Sequence, residues 1–164
     1  MFLSQKIIKD KLISDDAFGV YVALRVLYNA DMPTQYINCE QLIYVLTGKI
    51  EFKERLLTSI RAGVNELTNL GLINFDNVVS CDSYVLDFSP LYFSTAKTDN
   101  PKDQTYYAMV TVDEIRKCIN GKSTYKFKLL RYFSYIVGSL RGDIGFNSID
   151  SIAHDFKCTT KTIN

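Results

Sequence analysis

The sequence predicts a mainly helical (α+β) protein with small β-hairpins, made of two units in tandem. Three observations predict it. Apolar residues recur at helical spacing through most of the 164 positions. Two short apolar segments on either side of Asp76–Asp82 read as a hairpin. Ser94–Gln104 (STAKTDNPKDQ) is polar, holds a proline and lacks large apolar residues, which marks a linker. The expected units are residues 1–93 and 105–164, joined through 94–104.

In the first unit Ser14 is placed to cap a helix through Asp15–Asn29 (DDAFGVYVALRVLYN). Asp15 and Asp16 then sit at the positive end of its dipole. Phe18, Val22, Val26 and Leu27, or their neighbours Tyr21 and Leu24, supply the apolar face. Pro33 and its polar neighbours break the chain. A short helix follows at Cys39–Leu46, then a turn, Thr47–Glu51, containing Gly48. A long helix covers Phe52–Leu70, with Phe52, Leu56, Ile60, Val64 and Leu67 on one stripe. At about 100° per residue the opposite face holds Glu54, Arg55, Thr58, Arg61, Asn65 and Asn69. Gly71 suits a left-handed cap. Leu72–Phe75 reads as a strand, Asp76–Asp82 as a turn and Ser83–Phe88 as the returning strand. Helix, helix, helix, strand, turn, strand is the order of a winged helix.

The second unit begins with a strand at Tyr106–Val112 and a short helix at Asp113–Ile119. A longer helix, Ser123–Leu140, offers Phe127, Leu130, Phe133, Ile136, Val137 and Leu140 to a core. After the Arg141–Asn147 turn comes a short helix, Ser148–Phe156, and Thr159 is placed to cap another. The spacing of Ile149, Ile152, Ala153, Phe156, Cys158 and Ile163 is that of a helix-turn-helix, with Lys157 where a glycine is common. The sequence stops at Asn164, about five residues into this recognition helix. The expectation is a tandem winged helix-turn-helix with the second one truncated, in a fragment of a longer protein.

The run NELTNLGLINF, after two shorter helices and before a hairpin ending YVLDFSPLY, resembles bacterial winged helices. Over roughly residues 12–92 it is similar to replication-initiation proteins of plasmids and phages, and to the N-terminal domain of the DnaD primosome family. SIDSIAHDFKCTTKTIN resembles the second-to-third helix segment of many bacterial DNA-binding domains. The resemblance implies a non-enzymatic protein that binds double-stranded origin DNA during replication initiation. Its partners would be duplex DNA, a second copy of itself in a dimer, and other replication proteins. Winged-helix transcription regulators share the motif, and a protein–protein oligomerisation module of a replisome is the alternative from another class.

Composition excludes several other classes. With 47% hydrophobic and 23% charged residues the chain is neither a disordered tail nor a collagen-like repeat. The net charge of +1 names no partner, but its distribution is uneven. Residues 1–90 hold 8 basic and 11 acidic side chains, and residues 91–164 hold 11 and 7, so the second unit carries the basic surface. Cys39, Cys81, Cys118 and Cys158 lie 42, 37 and 40 residues apart, without a CxxC pair or a Cys/His cluster. That spacing argues against a zinc site or a secreted disulfide scaffold and suggests a reducing interior. Met1–Leu12 carries Lys6, Lys9, Asp10 and Lys11, so it has no signal-peptide core. No run approaches the ~18 apolar residues of a membrane span, which makes the cytoplasm the expected address.

No metal, cofactor or catalytic set is expected. Gly121-Lys122-Ser123 ends like a nucleotide-binding loop, but Arg116 stands where the earlier glycine is required. His154 is the only histidine, and it reads as a surface or boundary residue rather than a base. DNA contact would instead use the outer face of each third helix. In the first unit the candidates are Arg55, Thr58, Arg61 and Asn65, with Lys49 and Lys53 at the helix mouth. Arg61 suits bidentate contact with guanine and Asn65 with adenine. Glu54 and Glu66 oppose this, and the same face reads equally as a solvated helix surface or a protein interface. In the second unit the candidates are Lys157, Thr159, Thr160, Lys161 and Asn164, where hydroxyls and a lysine at a helix N-terminus suit phosphate. Lys117, Lys122, Lys126, Lys128 and Arg131 add basic charge that a wet helix face explains as well. Tyr44, Tyr84, Tyr92 and Tyr106 are open to stacking on bases or lining an interface.

Overall fold

The computed structural model describes residues 1–29, 31, 34–80, 83–87 and 107–140. In chain order the elements are β1 (Phe2–Ser4), α1 (Gln5–Lys9), α2 (Asp15–Leu27), β2 (Thr34–Asn38), α3 (Cys39–Thr47) and α4 (Glu54–Asn69). They continue with β3 (Asn74–Ser80), β4 (Ser83–Asp87), β5 (Tyr107–Met109), α5 (Val112–Asn120) and α6 (Lys126–Leu140). The protein is mainly helical with two small antiparallel sheets, as the sequence predicts at that level. One sheet pairs β1 with β5; the other has the order β2-β4-β3. Among the described residues no helix is long and apolar enough to cross a membrane.

Local chemistry sets the helix starts. Ser14 Oγ accepts the Ala17 N–H at 3.1 Å, and Asp15 and Asp16 occupy the first turn of α2 as expected. Asn38 and Gln41 form a reciprocal capping box on α3, with bonds of 2.7 and 2.9 Å. Thr111 and Glu114 do the same for α5. Gly48, at φ 70°, closes α3 in the left-handed region, and Gly71, at φ 67°, follows α4 as the sequence predicts.

One cluster of buried side chains draws on all six helices. Phe18, Val20, Tyr21 and Leu24 of α2 lie at its centre, each at most 1% exposed. Ile60, Val64 and Leu67 of α4 and Leu42, Ile43 and Leu46 of α3 pack on one side. Leu3, Ile7 and Ile8 join it from the N-terminal segment, and Ala108, Ile115, Phe127 and Leu130 from residues 107–140. The described part of the second predicted unit therefore packs into the same cluster as residues 1–73. The linker predicted at 94–104 lies outside the described residues.

Several details differ from the sequence reading. The N-terminal segment forms β1 and α1, held by pairing with β5 in the register Phe2↔Met109 and Leu3↔Ala108. Thr34–Asn38, expected only as the aftermath of a break, is a strand paired to β4 from Thr34↔Asp87 to Asn38↔Ser83. The turn expected at Asp76–Asp82 is mostly strand. Its polar residues Asp76 and Asn77 instead fall where the β3–β4 register shifts, between Phe75 and Val78. On α4 the buried stripe runs through Leu57, Ile60, Val64 and Leu67, with Phe52 and Leu56 only half-buried. Of the core expected in α6, Phe127 and Leu130 are buried, whereas Ile136 is 38% exposed. The predicted helix-turn-helix at 148–164 lies outside the described residues.

Candidate nucleic-acid interface

α4 is the long helix whose outer face the sequence singles out, and its packing fixes which side is outer. It crosses α2 so closely that a Cβ on Gly63 would stand 2.7 Å from the Asp16 carbonyl oxygen. Glu66 ties the same two helices at their ends, accepting the Ser14 N–H at 2.6 Å and the Ser14 hydroxyl at 2.5 Å. Leu57, Ile60, Val64 and Leu67 face inward, so Glu54, Arg55, Thr58, Asn65 and Asn69 are exposed and Arg61 is half-exposed. The structure thus brings the four α4 candidates Arg55, Thr58, Arg61 and Asn65 onto one outward face. Sixteen residues at ~1.5 Å each make this face about 24 Å long.

Its chemistry is mixed. Arg61 Nη1 lies 3.5 Å from Glu54 Oε1, in a pair with enough solvent access to exchange partners at little cost. Thr58 donates its hydroxyl to the Glu54 carbonyl at 3.1 Å, leaving its oxygen as an acceptor. Asn65 is exposed, so its side-chain amide presents both donors and an acceptor to solvent.

Lys49 and Lys53 are exposed in the α3–α4 turn, at the N-terminal end of α4. A second basic segment meets them there. Asn120 Nδ2 donates to the Thr47 carbonyl at 2.8 Å across 73 positions of sequence, and Arg116 Nε donates to the Val45 carbonyl at 3.3 Å. These bonds pin the end of α5 to the end of α3. The Gly121–Tyr125 loop consequently stands opposite the α3–α4 turn. Between them is a cleft of about 660 Å³, lined by Lys49, Lys53 and Arg55 on one side and Lys122, Lys126 and Lys128 on the other. Sequence reasoning noted both groups but had no means of joining them, because the bonds that do so end on backbone carbonyls.

Asp15, Asp16 and Glu51 also line the cleft. Burial pushes the Asp16 carboxyl above the usual aspartate range; a hydrogen bond from Ser59 opposes this, Asp15 and Glu66 add to it, and Arg55 opposes it. The folded state therefore holds this proton more tightly than the unfolded chain does. Stability from this group is gained as pH falls through its folded pKa, and the cost of the ionised form is fully present at neutral pH. Asp16→Asn is expected to melt higher than the parent at pH 7 and at the same temperature near pH 3. Thermal melts at the two pH values check this, and a lower melting temperature at pH 7 contradicts it.

Arg131, expected as surface charge, is instead buried beneath the α1–α2 connection. Its guanidinium donates to the carbonyls of Ile8, Ile13 and Asp10. The sequence cannot distinguish such an arginine from a solvated one. Tyr44 is 51% exposed beside α5, with the Arg116 guanidinium 5.9 Å from its ring centroid. Burial raises the pKa of the Cys118 thiol, and Glu114 adds to this, so the group is a poor nucleophile. No group of three His, Cys, Asp or Glu side chains among the described residues could hold a metal ion. The candidates Lys157, Thr159, Thr160, Lys161 and Asn164 lie outside the described residues, as do Tyr92 and Tyr106. Comparison with models of protein families, with curated proteins and with solved structures finds no match.

Proposed function

We propose that residues 14–87 form a winged helix that binds duplex DNA, with α4 as the reading helix and β3–β4 as the wing. The observation that carries this is the outward face of α4, polar along its length, on the last helix of an α2-β2-α3-α4-β3-β4 succession. The sheet order β2-β4-β3 belongs to the same arrangement. A major groove about 12 Å wide admits such a helix. Arg61 supplies the paired donors that suit guanine and Asn65 the donor and acceptor that suit adenine, while Lys49 and Lys53 supply positive charge at the helix mouth. The process served is replication initiation, a reading supported by the likeness of NELTNLGLINF and its surroundings to plasmid and phage initiators. The role proposed is binding rather than catalysis.

The protein is expected to bind a duplex of about 25 base pairs with a Kd between roughly 10⁻⁴ and 10⁻⁶ M at physiological salt. Fluorescence anisotropy measures this, and selection from a random duplex library gives the preferred bases. Arg61→Ala combined with Asn65→Ala should weaken binding to the selected sequence by roughly 1–3 kcal/mol and relax the preference at the positions they read. Absence of duplex binding by the parent at low salt would sink the reading.

A second reading, an oligomerisation module, has one observation in its favour. Tyr36, Tyr44 and Ile50 are 54%, 51% and 85% exposed. They border a hollow of about 490 Å³ between β2 and the outer side of α3. A second copy seated there would cover apolar surface that the described residues leave in water. A chain that dimerises and does not bind duplex would make this the better-supported function.

A further inference from the structure

We propose that the cleft between the α3–α4 turn and the Gly121–Tyr125 loop is a phosphate clamp. It holds the sugar-phosphate backbone of the same duplex that α4 reads, with Lys49, Lys53 and Lys122 as its contacts. This rests on the duplex-binding reading of α4 and extends it to a second, sequence-remote element. The charge is concentrated here beyond what composition requires. Six basic and three acidic side chains line the cleft, while the whole chain carries only +1.

The lining charges are not equivalent. Lys126 donates to the carbonyls of Ile119 and Gly121, closing the end of α5, and Lys128 lies 5.6 Å from the Tyr132 ring centroid. Both are half-buried and engaged, so they raise the local potential without being the mobile contacts. Lys49, Lys53 and Lys122 are exposed, and their ammonium groups make no hydrogen bond or ion pair among the described residues. On the acidic side, Asp15 lies 3.4 Å from the Arg131 guanidinium and Asp16 is hydrogen-bonded by Ser59. Glu51 is the exposed carboxylate that opposes an anion.

Position selects a duplex backbone among anions. Lys53 is the residue immediately before α4, so a strand crossing the cleft reaches the N-terminal end of the reading helix directly. Backbone amides at that end are unpaired within the helix and favour phosphate. Ser123, Thr124 and Tyr125 put hydroxyl groups along the opposite wall, and Tyr125 is 72% exposed. Hydroxyls and lysines of this kind position a protein on DNA without reading sequence.

The test is a duplex titration across a range of salt concentrations, on the full chain carrying Lys49→Gln and Lys122→Gln. Each lost phosphate contact removes about 0.9 from the slope of log K against log salt. The double variant should therefore flatten the slope by about 1.8 and, with the 1 M intercept unchanged, bind roughly 60-fold more weakly near 0.1 M salt, with its selected base preference unchanged. Glu51→Gln should bind a few-fold more tightly than the parent. An unchanged slope overturns the clamp, even if affinity drops, because no counterion release has been lost. If Arg61→Ala with Asn65→Ala still relaxes base preference in that case, the α4 reading survives and the clamp alone fails. A parent chain that does not bind duplex removes both.

Discussion

Arg131→Met is expected to destabilise the protein by roughly 4 kcal/mol. The side chain is 6% exposed, and its planar donors meet three backbone carbonyls, one at the end of α1 and two in the α1–α2 connection. Nε donates to Ile8 at 2.8 Å, Nη1 to Ile13 at 2.6 Å, and Nη2 to Asp10. The guanidinium also lies 5.6 Å from the Phe18 ring centroid and 3.4 Å from Asp15 Oδ1. Methionine fills much of the volume but satisfies none of these acceptors, and each buried carbonyl left without a donor costs about 1–3 kcal/mol. Lysine keeps the charge and loses the fork, so Arg131→Lys should fall between parent and Arg131→Met. Urea unfolding of the three proteins measures the series. A loss under about 1 kcal/mol for Arg131→Met would mean that the α1–α2 connection does not depend on α6.

That arginine illustrates where sequence reasoning stops. In KFKLLRYFSYI it stands three residues after Lys128, at helical spacing, and it looks like a second charge on one wet face. Its partners are carbonyl oxygens of residues 8–13, which every residue type possesses, so no pattern in the sequence announces them. Short strands show the same limit. β1 has three residues and pairs with β5 more than a hundred positions away, and β2 pairs with β4 across about fifty. Neither stretch has enough alternation to declare itself, because its extended state comes from its partner. Helix ends behave differently. Ser14 with Asp15 and Asp16, and Gly71 after α4, act within a few residues of themselves, and each does what its chemistry predicts.

The candidate site divides along the same line. The outer face of α4 was legible because a 16-residue helix with a strong apolar stripe leaves one direction for Arg55, Thr58 and Asn65. The helix begins at Glu54, and Leu57 takes the buried place that the spacing assigns to Phe52 and Leu56, while the polar face keeps its direction. The cleft was not legible. Lys122 joins Lys49 and Lys53 only because Asn120 and Arg116 reach carbonyls at the end of α3. A local reading sees two lysine groups on two wet surfaces.

Gly63→Val is expected to cost about 3 kcal/mol and to weaken duplex binding along with stability. Even a bare Cβ at this position would lie 2.7 Å from the Asp16 carbonyl oxygen and 2.7 Å from Val20 Cγ2. Val20 is fully buried, and Asp16 O is backbone in the first turn of α2, so neither can yield without moving a helix. Any side chain in place of glycine gains helix propensity of at most about 1 kcal/mol, which overpacking of this kind outweighs. The relief available is a shift of α4 away from α2, which also displaces the Ser14–Glu66 bonds and tilts Arg61 and Asn65 relative to Lys49 and Lys53. Ala62→Val, one position along on the exposed face, carries the same β-branch without the crossing and should cost under about 1 kcal/mol. Urea midpoints for the two variants separate crowding from propensity. Equal midpoints would show that α2 and α4 do not cross at Gly63, and the outward direction assigned to the reading face would fall with that crossing.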